Sequence, residues 1–211
     1  MKQGNNQFKL LIGSVILLMA LTEYTSAKPA GNEGRKKEVL TLGGGCFWCI
    51  EAVFDMVRGV AKVESGYSGG KVSNPTYKEV CSGLTGHAEV VQVTYDPGII
   101  STRELLEIFF IVHDPTQLNR QGPDVGTQYR SVVFYRTPEQ KQVTEQTLYE
   151  LEEEKIYPGK LVTQVVPFVT FYQAEDYHQE YFQLNGTQPY CRAVIAPKIA
   201  KFRKMFHDKL K

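Results

Sequence analysis

Cys46 and Cys49 stand three residues apart behind three glycines, in the run Gly43-Gly44-Gly45-Cys46-Phe47-Trp48-Cys49. Two thiols at this spacing could do redox or nucleophilic chemistry. The run follows a short apolar stretch and opens an apolar helical pattern, which puts Cys46 at a helix N-terminus. Unpaired backbone N–H groups and the positive end of the helix dipole there favour thiolate over thiol, and the thiolate is the form that reacts. The glycines permit tight or left-handed turns and let another molecule approach the main chain. Phe47 and Trp48 set two large apolar rings beside the sulfur. A glycine turn with a buried structural thiol would explain a lone Gly-Cys, but the second thiol favours a reactive site.

A carboxyl group is the next candidate. In the strand pattern from Glu89 to Tyr95, Glu89 shares its side with Val91, Val93 and Tyr95, while Gln92 and Thr94 face the other way. A carboxylate on that apolar side loses hydration, so its pKa rises and it becomes a proton donor near neutrality. On pattern alone, a strand-end Glu that turns into water is an equal alternative. The chain has four cysteines, Cys46, Cys49, Cys81 and Cys191, and is long enough to bury a core without disulfide staples. Zinc would want two close pairs or added histidines, and His87 and His178 have no helical i, i+4 partner. A redox dithiol remains. Thioredoxin-like proteins also use Cys-x-x-Cys, but their Trp precedes the first cysteine, whereas Trp48 lies between the two.

These groups need elements to hold them. Val39 to Leu42 reads as a strand, and residues 46–56 as a helix with Ile50, Val53, Phe54 and Val57 on one face. A strand from Val60 to Tyr67 follows, then a turn at Asn74-Pro75, a short helix from Tyr77 to Cys81 and the Glu89 strand. Ser101 to Glu104 is a capping box for a helix that ends at His113-Asp114-Pro115. A long polar loop then carries Asp124 and leads into Tyr129 and the strand Ser131 to Tyr135. Thr137 and Pro138 start another helix, whose acidic run at Glu150 and Glu152 to Glu154 reads as a solvated face. Leu161 to Tyr172 is the last strand, with Pro167 marking an edge or a bulge. Tyr177, His178, Tyr181 and Phe182 recur at helical spacing as a core stripe. A final basic helix runs from Ala193 to Leu210, with Pro197 tolerated only in its first turn. Two successive strands between the first helices predict a single α+β domain. The expected arrangement is a mixed β-sheet with packed helices, a ferredoxin-like two-layer sandwich, and not a doubly wound parallel sheet.

Residues 1–27 read as a cleavable signal peptide: Lys2 and Lys9 in a polar start, an apolar run from Leu10 to Leu21, and small residues at Thr25-Ser26-Ala27. Export to a periplasm or the exterior is therefore expected, with an uncleaved membrane anchor as the alternative. Residues 28–38 are expected to be a disordered lead-in, and 39–211 the folded domain. The full chain has a formal net charge of +1, and without the leader 22 basic and 22 acidic residues remain. Nothing in that balance steers the chain to nucleic acid or an anionic membrane.

Several blocks resemble the A-type peptide methionine sulfoxide reductases. They are Gly45-Cys46-Phe47-Trp48, Gly66 to Gly70, Pro75 to Cys81, Gly86-His87-Ala88-Glu89, Tyr95-Asp96-Pro97, His113 to Gln117, Gly126 to Ser131 and Glu175 to Gln179. The resemblance implies that Cys46 attacks the sulfoxide sulfur, that Glu89 protonates its oxygen, and that Tyr77 and Tyr129 hydrogen-bond it. It implies that Asp124 orients or polarises the site, and that Phe47 and Trp48 hold the S-methyl group. The implied substrate is methionine S-sulfoxide, free or in oxidised proteins, reduced with no metal or flavin, and the chain is expected to be a monomer. A second thiol would close a disulfide on Cys46, and a thioredoxin-like dithiol would reopen it. Much of the family has Gly where Cys49 stands and resolves through a C-terminal cysteine. Here Cys49, one turn away, is the first expectation for the resolving thiol and Cys191 the second, while Cys81 is expected to be structural. Two other readings compete: a general thiol–disulfide oxidoreductase, separable by an insulin-reduction assay, and a thiolate–metal or interaction module, separable by bound zinc.

Overall fold

The computed structural model describes residues 36–211; the expected signal peptide and most of the expected lead-in lie outside the described residues. Strand β1 (Glu38–Gly43) begins one residue earlier than expected and is followed by helix α1 (Phe47–Phe54), β2 (Val60–Ser68) and the short α2 (Tyr77–Cys81). Then come β3 (Ala88–Tyr95), α3 (Thr102–Val112), a hairpin of β4 (Arg120–Gln121) with β5 (Asp124–Val125), a 3-10 turn over Thr127–Tyr129, and β6 (Val132–Tyr135). Helix α4 (Pro138–Glu153), β7 (Gln164–Pro167), β8 (Phe171–Gln173), α5 (Tyr181–Asn185) and α6 (Ala196–Met205) complete the order.

One mixed sheet of six strands runs β7-β6-β1-β3-β2-β8. β1 pairs antiparallel with both β3 and β6, β3 pairs antiparallel with β2, and β7 runs parallel to β6. The stretch Leu161–Tyr172 is a correction to the sequence reading: it is two strands on opposite edges of the sheet, not one. Only residues 168–170 separate β7 from β8. Four residue steps span at most about 14 Å, yet the outer strands of a flat six-stranded sheet lie about 24 Å apart. The sheet must therefore curl until its edges approach. Pairing continues into the connector on both sides: Phe168 N–H donates to Tyr135 O at 2.8 Å, and Ser68 Oγ donates to Thr170 O at 2.7 Å.

Helix α1 is buried on nearly every side, with Phe47, Cys49, Ile50, Glu51, Ala52, Val53 and Phe54 all inside. It packs on β2 and β3 and is covered by α5 and α6. Burying each large apolar side chain contributes about 1.5–3 kcal/mol, which fixes the helix that carries both thiols. The Ser101–Glu104 capping box forms as expected, with Ser101 Oγ accepting from Glu104 N–H at 3.2 Å. Glu150 is not simply solvated, because it pairs with Arg103 at 2.6 Å. The aromatic stripe is also corrected. Glu180 adopts φ +51°, which breaks the pattern into a 3-10 turn at Asp176–His178 and the separate α5, and Tyr177 is exposed. The last helix starts as a π turn at Cys191–Ile195 before α6, with Pro197 in the first turn of α6.

Candidate active site

The glycine run brings Cys46 to the start of α1 against a wall with no room for side chains. A Cβ on Gly44 would lie 2.8 Å from the Phe109 ring. Gly45 has φ +96°, and a Cβ there would lie 2.6 Å from the Gln121 side chain. Cys46 is the N-cap of α1, its side chain makes no capping hydrogen bond, and it is 6 % exposed. This corrects one expectation. Burial, the neighbouring Cys49 sulfur and the Glu89 charge hold the Cys46 thiol well above the usual cysteine range. The interaction between the two sulfurs pulls Cys49 down to about 7 against its burial. The two thiols act as one dithiol that gives up its first proton near neutrality and holds its second.

Glu89 sits in β3 directly across from Tyr67 of β2. Its Oε2 accepts the Phe47 N–H at 3.1 Å, so the carboxyl rests on the first turn of the helix that carries Cys46. Its Oε1 is buried with no partner among the described residues. Burial pushes its pKa up to about 8 despite the Phe47 N–H, with the charges of Asp124 and Cys49 adding to the rise. The group is therefore a neutral acid at pH 7, the state the strand pattern left even with a hydrated one. Tyr77, at the start of α2, and Tyr129, in the 3-10 turn before β6, are half-buried. Burial and then the Glu89 charge raise both phenols, so both hydroxyls stay protonated and able to donate.

Asp124 lies in the β4–β5 hairpin and meets the thiols through a residue the sequence did not single out. The Tyr190 hydroxyl donates to Asp124 Oδ2 at 2.8 Å and lies 4.0 Å from Cys49 Sγ. Tyr190 immediately precedes Cys191, but nothing in the local pattern distinguishes it from the other aromatics of this segment. Cys191 itself is fully buried in the π turn, where burial and then the Cys49 charge raise its pKa. Cys81, expected to be structural, is exposed.

Phe47 and Trp48 lie within an aromatic cluster. Trp48 stacks on Tyr181 with ring centroids 3.7 Å apart and meets Tyr190 edge-on at 5.9 Å. Its indole N–H donates to His178 Nδ1 at 3.2 Å, which fixes the neutral tautomer with the proton on Nε2. Burial lowers the pKa of His178 and keeps it in that form. Phe47 lies between Tyr67 and Tyr77, at 5.9 and 6.3 Å. Such a cluster suits a methyl group on a polarizable sulfur.

Beneath Trp48, Glu51 is 1 % exposed, accepts the Tyr181 N–H at 3.3 Å through Oε2, and leaves Oε1 without a partner among the described residues. Burial raises its pKa to about 7. A carboxyl group raised by folding contributes stability that is complete below its unfolded pKa and lost as pH rises through the folded value. Glu51→Gln, which cannot ionise, is therefore expected to melt near the wild-type temperature at pH 5 and above it at pH 9. Thermal denaturation at the two pH values checks this, and a gap that does not widen would contradict it.

The comparisons with known proteins agree with this assembly. A sequence model described as peptide methionine sulfoxide reductase matches residues 38–210. The chain is 58 % identical over 174 residues to the peptide methionine sulfoxide reductase MsrA of Saccharolobus solfataricus, covering 82 % of this chain and 97 % of that one. It is 52 % identical over 192 residues to the MsrA of Deinococcus radiodurans, covering 91 % and 93 %. Among solved structures, reduced Mxr1 from Saccharomyces cerevisiae superposes with a TM-score of 0.68 at 35 % identity, covering 80 % of this chain and 96 % of that one. Methionine sulfoxide reductase A of Corynebacterium diphtheriae gives 0.66 at 36 %, covering 74 % and 78 %. The match begins with β1, takes in every element that carries the dithiol, the buried acid and the aromatic cluster, and ends after α6: the chain belongs to the peptide methionine sulfoxide reductase family, in its MsrA branch.

Proposed function

We infer that the chain is a peptide-methionine (S)-S-oxide reductase in which Cys46 takes the oxygen of methionine S-sulfoxide, free or in oxidised proteins. The observation that carries the mechanism is the contact between Glu89 and the first turn of α1, which sets a neutral acid beside the dithiol. The S-methyl group packs between Phe47 and Trp48. The sulfoxide oxygen accepts from Tyr77, Tyr129 and the free face of the Glu89 carboxyl. Within the dithiol Cys46 passes its proton to Cys49, and the Cys46 thiolate attacks the sulfoxide sulfur. The oxygen then passes from the methionine sulfur to the Cys46 sulfur as the sulfur–sulfur bond formed on attack breaks, Glu89 supplies one proton, and methionine leaves with a sulfenic acid on Cys46. The sulfoxide gains the two electrons that the Cys46 sulfur loses. Asp124 acts through Tyr190, whose hydroxyl it holds beside the thiols.

The Cys49 thiol then condenses with the sulfenic acid, forming a disulfide and releasing water. The Cys49 N–H bond to Cys46 O at 3.1 Å, which holds the two residues within one helical turn, supports Cys49 over Cys191. A thioredoxin-like dithiol reopens the bridge by exchange. The sequence of residues 1–27 supports export of the enzyme to a periplasm or the exterior. The order β6-β1-β3-β2 supports reading the central strands as the ferredoxin-like core, widened by β7 and β8.

The test separates the oxygen transfer from the closing of the bridge. Cys49→Ser is expected to release about one methionine per enzyme in a single turnover, since attack needs one sulfur, while cycling with thioredoxin collapses. Cys191→Ser is expected to cycle nearly as the wild type does. Peptide mapping of the oxidised wild type that joins Cys46 to Cys191 instead of Cys49 would overturn the local bridge.

A further inference from the structure

The block from Glu175 to Gln179 stands out in the sequence, yet the reaction above leaves its first residue without a part. The turn that carries it is fastened to β2. The Ala174 N–H donates to Ser65 O at 2.9 Å. The Gln179 side-chain amide accepts from Ser65 N–H at 3.0 Å, and donates to Ser65 O at 3.0 Å and to Ala174 O at 2.9 Å. From this turn the Glu175 carboxylate reaches two tyrosines. Its Oε1 accepts the backbone N–H of Tyr77 at 2.9 Å, and its Oε2 accepts the Tyr67 hydroxyl at 2.9 Å.

The two tyrosines differ in what they need. Tyr67 is fully buried in β2, opposite Glu89, and the sheet already holds it. Tyr77 opens a helix of five residues, too short to be rigid by itself. The Thr76–Glu79 capping box orders that helix internally but does not tie it to the sheet. The Glu175 bond does. Burial works against the charge on Glu175, but the Tyr77 N–H and the Tyr67 hydroxyl outweigh it and hold its pKa below the usual carboxylate range. The carboxylate is therefore ionised at the pH where the enzyme works, and both bonds are charge-assisted.

We propose that Glu175 is a positioning residue for sulfoxide reduction: one carboxylate oxygen holds the backbone of Tyr77, the other braces on Tyr67, and the Tyr77 hydroxyl is thereby aimed at the sulfoxide oxygen. The inference rests on the reading of Tyr77 as a donor to that oxygen. Because such a bond strengthens as negative charge develops on the oxygen, the effect falls on kcat more than on KM.

The test is a double-mutant cycle with Tyr77→Phe, read as single-turnover reduction of a methionine sulfoxide peptide. Glu175→Ala is expected to slow the wild type by about 10- to 100-fold, the scale of losing charge-assisted hydrogen bonds. On the Tyr77→Phe background it is expected to cost less than about 3-fold, because the hydroxyl it aims is gone. The rate of Cys46 alkylation by iodoacetamide is expected to stay unchanged in Glu175→Ala. An equal loss on both backgrounds would overturn the inference and leave the Tyr77 reading intact. Full activity in Tyr77→Phe alone would end the Tyr77 reading and the inference with it. If circular dichroism shows Glu175→Ala unfolded, Glu175→Gln, which keeps one acceptor and the side-chain volume, decides by the same cycle.

Discussion

Cys46→Ser is expected to abolish methionine sulfoxide reduction in a protein that still folds. In the proposed reaction, replacing sulfur with oxygen removes the atom that attacks the sulfoxide and carries its oxygen away. A serine hydroxyl does not ionise near neutrality and forms no stable counterpart of a sulfenic acid, so no slower version of the same route remains. The fold should tolerate the change, since Cys46 makes no side-chain capping bond to α1. The helix is held by its buried apolar residues and by the Phe47 N–H bond to Glu89. Methionine release measured beside circular dichroism checks both halves. Substantial turnover in a folded Cys46→Ser protein would overturn the assignment of the nucleophile.

Glu89→Gln is expected to be the next most damaging change, slowing reduction by about 10²–10⁴-fold, the usual scale for losing a positioned general acid. The amide keeps the shape of the side chain, an acceptor for the Phe47 N–H and a donor toward the oxygen, but it has no proton to give. The pH dependence carries the sign. With a pKa of about 8, the wild-type acid is protonated at pH 7 and lost above pH 8, so the Glu89-dependent rate falls as pH rises through that value. Glu89→Gln should lack that alkaline limb. A pH–rate profile identical in wild type and Glu89→Gln would remove this carboxyl from the proton transfer.

The sequence carried the site further than it carried the fold's edges, and the reasons are physical. The glycine run, the caps at Ser101 and Thr137, and the alternation of Glu89 with Val91 and Val93 are local signals, each set by the backbone or by a single buried face. The division of Leu161–Tyr172 is not local. A run with apolar residues on both faces looks the same whether one strand uses it all or a curled sheet takes its halves at opposite edges. The break at Glu180 was hidden similarly, because Tyr177, His178, Tyr181 and Phe182 keep helical spacing across a left-handed residue. Tyr190 carries no local signal because its partners, Asp124 and Cys49, are 66 and 141 residues away in the chain. The charge state of Cys46 is not legible in the sequence for another reason. The helix terminus favours thiolate, but its effect is smaller than the cost of burying a charge beside Glu89 and a second sulfur, and only the folded chain reveals that burial.

The transfer of oxygen to Cys46 is tested most directly in a Cys49→Ser/Cys191→Ser double variant, where no buried thiol remains to remove a sulfenic acid. The variant would be mixed with one equivalent of methionine S-sulfoxide peptide in the presence of dimedone, then digested and mapped by mass spectrometry. The account predicts about one methionine per enzyme, since a single sulfur accepts a single oxygen, and a dimedone adduct on the Cys46 peptide. Methionine formed while Cys46 remains an alkylatable thiol, or an adduct on Cys81 in its place, would contradict it.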